Sequence, residues 1–137
     1  MKKGVGMVGT VVVALVLALF AYVRLAPVDP ERWHLPVAAT ESADLVGGAV
    51  RVLDGDQTTF LALDKAARAL PRTSVLAGSV DEGRITYVTR SFVFGFPDMT
   101  TIELAGGQVL MFARLRFGQS DMGVNRKRLE DLLSAIK

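Results

Sequence analysis

Three patterns of hydrophobic spacing succeed one another along the chain, and each predicts a different kind of structure. From Gly4 to Val23 roughly twenty residues run without a charge, apolar on every face rather than along one stripe. A helix rises about 1.5 Å per residue, so this run extends about 30 Å, the hydrocarbon thickness of a bilayer, and satisfies its own backbone polar groups there. It predicts a transmembrane helix. The competing reading is a secretory signal peptide, whose apolar core is about 7–15 residues long and ends at small residues. Here the core is longer, and its exit, Ala21-Tyr22-Val23-Arg24, sets an aromatic and a basic residue at interfacial depth. Retention is expected, so residues 1–23 form a short tip and an anchor.

Residues 24–48 show neither period. Pro27, Pro30 and Pro36, with Asp29 and Glu31 between them, predict an extended spacer that keeps the C-terminal part of the chain clear of the lipid headgroups. Trp33-His34 holds the only Trp and the only His of the chain. Beside a membrane span such a pair is expected at the interface. A lone His, with no second His and no Cys, cannot assemble a standard transition-metal site, so no metal is expected.

From residue 49 onward, periods of 2 and of 3.6 alternate. Ala49 to Leu53 reads as a strand ending in a turn at Asp54-Gly55-Asp56, which lacks the spaced oxygens and terminal Glu of a calcium loop. Phe60, Leu63, Ala67 and Leu70 then share one helical face, with Asp56 or Thr58 to cap the start and Pro71 to stop it. Four strands come next, at Thr73–Val80, Arg84–Phe94, Met99–Leu104 and Gln108–Phe117. The turns between them are short, which forces antiparallel neighbours, and Gly106-Gly107 suits a turn needing positive φ twice. A last helix, about Gly123 to Ile136, buries Leu129, Leu132, Leu133 and Ile136. The order β-α-β-β-β-β-α predicts an α+β domain over residues 49–137, with a small antiparallel sheet and both helices on one face.

Charge narrows the partners. Sixteen basic residues, less Lys2 and Lys3, leave fourteen to face fourteen acidic ones, so the chain beyond the anchor is near neutral and no nucleic-acid partner is expected. Lys2, Lys3 and the amino terminus outweigh Arg24, which favours an inside N-terminus and an outside domain. In a bacterium that is a single-pass protein of the inner (cytoplasmic) membrane with a periplasmic C-terminal domain. The chain has no cysteine, which removes disulfides, thiolate nucleophiles and iron–sulfur clusters.

Polar side chains on the strands and in one loop supply the candidate chemistry. Alternation along Arg84–Phe94 places Arg90 on one face with Thr86, Val88, Phe92 and Phe94, and along Gln108–Phe117 it places Arg114 and Arg116 with Leu110 and Phe112. A basic and aromatic surface can hold an anionic ligand, or its arginines can lay their stems over apolar neighbours. Ser120 or Asp121 is placed to cap the last helix, and an anion at that N-terminus, helped by Arg116, Arg126 or Arg128, would compete for the same amides. Phosphate loops, dinucleotide fingerprints and nucleophile elbows are absent, and no cofactor is expected.

The string Arg90-Ser91…Phe94-Gly95-Phe96-Pro97-Asp98, followed by Gly118-Gln119-Ser120-Asp121-Met122-Gly123-Val124-Asn125-Arg126-Lys127-Arg128, resembles the domain of unknown function 1499 family over roughly residues 50 to 137. The resemblance implies membrane attachment in bacteria and supports the fold; it implies no reaction. The chain departs from the family pattern in lacking an early Asn-Cys-Val segment and in carrying Met99 where a second Asp commonly follows Asp98. Phe112-Ala113-Arg114-Leu115-Arg116 matches the family's Arg-Ser-x-Ser-Arg strand only at Arg116. The polar set of interest is therefore Arg90, Asp98, Arg116, Ser120, Asp121, Asn125 and Arg128, read either as a ligand site or as an internal ion-pair and capping network. Three functions fit in descending order: a membrane-tethered, non-catalytic binding or assembly module with a protein partner, a domain binding a small amphipathic or anionic ligand, and an enzyme using Asp98 or Asp121.

Overall fold

The computed structural model describes residues 2–137, with side chains from Gly4 onward; the Lys2 and Lys3 side chains and the amino terminus, on which the inside-outside expectation rests, lie outside the described residues. Helix α1 runs over Lys2–Leu25, and its stretch Gly4–Leu25 is long and apolar enough to cross a membrane. A one-turn helix α2 comes after it at Pro30–Trp33, started by the Asp29 carboxylate, which accepts from the Glu31 amide, and by Pro30 at the first helical position.

Beyond it six strands form a single antiparallel sheet: β1 (Ala43–Leu45), β2 (Gly48–Asp54), β3 (Thr73–Ser79), β4 (Arg84–Arg90), β5 (Pro97–Ala105) and β6 (Gln108–Leu115), in the spatial order β1-β2-β6-β5-β4-β3. Helices α3 (Gln57–Ala69) and α4 (Val124–Ala135) complete the α+β domain. Asp56 caps α3, accepting from the Thr58 and Thr59 amides. Gly106 and Gly107 both have positive φ in the β5–β6 turn, as that turn type demands.

Both helices pack on one face of the sheet, because alternate residues of each strand point that way. Phe60, Leu63 and Ala67 of α3 and Leu129 and Leu132 of α4 close over Ile85, Tyr87, Ile102, Val109, Met111 and Ala113. Each fully buried Leu or Ile contributes roughly 1.5–3 kcal/mol. One polar cluster sits within this core: the Tyr87 hydroxyl donates to Asp64 Oδ1 at 2.6 Å, and Arg68 Nε donates to the same oxygen at 2.7 Å. Burial and the Asp64 acceptor together push the Tyr87 hydroxyl pKa upward, so it stays a donor.

The other face is where structure and expectation part. Residues 26–41 do not form a free spacer; they lie across the strands as a strap. Arg114 Nη2 donates to Trp33 O at 2.5 Å, His34 Nδ1 meets Thr86 Oγ1 at 2.9 Å, and the Val37 amide donates to Glu103 Oε2 at 2.7 Å. Trp33-His34 is thus docked on the sheet, not held at an interface. His34 Cε1 lies where a Cβ on Gly78 would stand 2.6 Å away, so only glycine at 78 leaves room for the ring. The physical reason for the strap is that Val50, Thr86, Met99, Thr101 and Leu110 on this face are buried and need a cover. Pro27 and Pro36 flank the single turn of α2, so the strap forms no longer helix and crosses these residues without one from Leu35 to Ala39. Past the strap, β1 adds a short edge strand that the pattern of the sequence did not announce.

A second difference concerns β4. It ends at Arg90 rather than continuing to Phe94, because Ser91 closes a tight loop: its amide donates to Phe96 O, its hydroxyl accepts from the Phe96 amide, and its carbonyl accepts from the Gly95 amide. Phe92 and Phe94 therefore project from a loop and do not line the face of the sheet beside Arg90.

Candidate functional site

The loops 70–73, 90–97 and 115–124 all fall at the end of the sheet that receives α1. Two of them are anchored to the helix. Arg24 Nη2 donates to Val93 O at 2.9 Å, Arg90 Nη1 donates to Val23 O at 3.3 Å, and Phe20 stacks on Phe94 with centroids 5.3 Å apart. Tyr22 meets Phe117 edge-on at 6.2 Å, and Val23 is buried.

Between these loops opens a cleft of about 560 Å³, lined by Arg72, Arg90, Arg128, Asp98, Ser120, Asp121 and the rings of Phe92, Phe96 and Phe117. Five of the seven residues singled out from sequence line it. Asn125 lies fully buried beneath, donating from Nδ2 to Asp98 Oδ2 at 3.2 Å. Arg116 lies outside, its Nη1 on Pro27 O at 3.0 Å and its guanidinium over the Phe117 ring.

Two kinds of charge line this cleft. On its α4 side the groups are mutually satisfied: Arg128 Nη1 donates to Asp98 Oδ2 at 3.4 Å and also to Asn125 Oδ1. Burial pushes the Asp98 carboxyl upward, with Arg128 and Asn125 acting against that. Asp121 caps α4, its Oδ1 accepting from the Gly123 amide and its Oδ2 from the Asn125 amide, both at 3.0 Å. Burial alone would raise it, but these donors outweigh that and hold it below the usual carboxylate range. Ser120 Oγ accepts from the Met122 amide at 3.3 Å. The helix N-terminus is therefore occupied by the protein's own carboxylate.

On the opposite wall the guanidiniums of Arg72 and Arg90 bond to neutral groups. Arg72 Nε donates to Arg90 O at 2.9 Å and stacks over Phe92, while Arg90 Nη1 donates to Gly95 O and Val23 O. Among the described residues neither pairs with a carboxylate. Arg72 also has φ 53°, a left-handed conformation costing a non-glycine residue about 1 kcal/mol. Sequence reasoning missed Arg72, which sits in the helix-to-strand turn Pro71-Arg72-Thr73 with no periodicity to place it.

A hollow of about 590 Å³ also lies beneath the strap, between Trp33, Leu35, Val37, Val50 and Phe112. Its lining is mostly apolar, and the one guanidinium reaching in from the sheet, Arg114, is already bonded to Trp33 O, Thr101 Oγ1 and Phe112 O. Arg32 and Glu41 line its outer side. The end cleft is the stronger candidate because five of the seven polar residues singled out from sequence converge there beside three aromatic rings. Among the described residues no three His, Asp or Glu side chains gather as metal ligands would.

These features define a class: a small α+β domain, helices on one face of its sheet and a strap on the other, with a basic and aromatic cleft at the end that meets an apolar helix. The chain belongs to the family described as protein of unknown function (DUF1499), which matches residues 35–136. That span takes in the later half of the strap as well as the sheet. Among curated proteins none matches the chain.

Proposed function

We propose that this chain is a membrane-tethered, non-catalytic binding module, with α1 retained as a single-pass anchor and the end cleft receiving an anionic amphiphile. The observation that carries the reading is the pair Arg72 and Arg90, two cations in one cleft wall without a carboxylate partner among the described residues, beside Phe92, Phe96 and Phe117. Guanidiniums match phosphate or carboxylate oxygens, and the rings supply an apolar surface for a hydrocarbon chain. Binding is favoured over acid–base chemistry because Asp98 and Asp121 already accept bonds from Arg128, Asn125 and backbone amides. Lys2 and Lys3 before the span favour an outside domain, periplasmic in a bacterium.

The test is titration of the full chain in detergent micelles with short-chain phosphatidic acid, against short-chain phosphatidylcholine as the zwitterionic control. Arg72→Gln and Arg90→Gln should each weaken phosphatidic acid binding roughly tenfold or more, the loss of one charge-assisted hydrogen bond. Equal affinity for the two lipids, or unchanged affinity in both variants, would overturn the proposal.

A further inference from the structure

The two ends of the sheet differ in character. At the end away from α1 the turns carry Asp54, Asp56, Asp81 and Glu82. At the α1 end the loop tips are apolar and open: Phe92 is 78% exposed, Val93 63% and Met122 94%. Arginines 24, 72, 90 and 116 stand just behind these tips. Apolar tips backed by cations are the composition of a segment that enters the headgroup layer of a bilayer.

The contacts with α1 set the depth. Phe20 lies three residues before Val23, where the uncharged run ends, so at about 1.5 Å per residue it sits roughly 4–5 Å inside the apolar span. Phe94 stacks on Phe20, which puts the 91–96 loop at the same level. The Arg24 side chain fixes the loop there through Val93 O. Val93 and the outer side of the Phe92 ring, whose other side lines the cleft mouth under Arg72, are exposed, and at that depth the surroundings are lipid.

We infer that the 91–96 loop inserts Phe92 and Val93 into the outer edge of the bilayer beside α1, seating the α1 end of the sheet on the lipid surface. This rests on α1 being a retained anchor. It explains how exposed Phe92 and Val93 are accommodated, and it brings the mouth of the cleft to the level of the headgroups.

The absence of cysteine makes the test clean, since each introduced thiol is labelled alone. Full-length Val93→Cys, Asp81→Cys and Leu15→Cys variants, each carrying a nitroxide, are reconstituted into vesicles of phosphatidylcholine and phosphatidylglycerol. Collision with oxygen and with a water-soluble nickel chelate is then read by paramagnetic resonance. The label at 93 should be at least tenfold less accessible to the chelate than that at 81, with oxygen accessibility approaching that at 15. A label at 93 as open to the chelate as that at 81, with the label at 15 in lipid, overturns the insertion alone. A label at 15 open to the chelate overturns the anchor and the insertion together.

Discussion

Replacing Arg114 by Met asks how firmly the strap is held. The guanidinium is mostly buried, and desolvation lowers its pKa to about 10, a penalty on the charged form on the order of 3 kcal/mol. Against this stand its bonds to Trp33 O and Thr101 Oγ1, each roughly 1.5–3 kcal/mol for a charged donor, and its stacking over Trp33 and Phe112. Met keeps the apolar stem and removes both sides of this balance, but leaves the Trp33 carbonyl without its donor. The net change is about 1–3 kcal/mol in favour of a released strap, a rise of roughly 5-fold to 150-fold in the open population. Trp33 is the only Trp, so its fluorescence reports strap docking directly. Arg114→Met should shift Trp33 emission to the red, increase acrylamide quenching, and open the Arg32 bond to trypsin. Unchanged emission and quenching would refute the argument that Arg114 clamps the strap.

The geometry sets three further outcomes. Tyr87→Phe removes the donor to Asp64 from a fully buried site and should cost about 1.5–3 kcal/mol in thermal or denaturant unfolding, with no effect on lipid binding. Asp121→Asn should be less stable than the parent at neutral pH. Because the Asp121 pKa is lowered on folding, its contribution is present above the ordinary carboxylate value of 3.8 and is lost as pH falls through the lower folded value, so the two stability curves should converge in acid. Leu63→Ala, at a fully buried position of α3, should lose about 2–5 kcal/mol, read in the same unfolding experiment.

What could be read from the sequence divides along a physical line. The helical face of Phe60, Leu63 and Ala67 and the alternation of Val109, Met111 and Ala113 were legible, because burial against one layer imposes a period. The same alternation put Arg114 on the far face. The cover of that face was not legible, because the strap is held through backbone atoms such as Trp33 O and the Val37 amide, which every residue possesses. The signal was on the other partner: arginines set among Phe112 and Leu110 need acceptors from somewhere. The end of β4 escaped for a related reason, since the Ser91 hydroxyl's bond to the Phe96 amide is made only once the chain has turned. Ser120, Asp121, Asn125 and Arg128 are near one another in the chain, and Asp98 joins them through the resemblance; the fold brings all five to the same end of the sheet. Arg72 has no such neighbour.

The carbonyl of Val23, bonded to Arg90, and the Arg24 side chain, bonded to the 91–96 loop, tie the end of the helix directly to the sheet. With α1 retained in a bilayer as proposed, these contacts couple the two: a tilt or rotation of α1 changes the angle at which the cleft faces the headgroups. On the proposed anchoring, membrane thickness, which helices accommodate in part by tilting, becomes a quantity to which the cleft's orientation is linked.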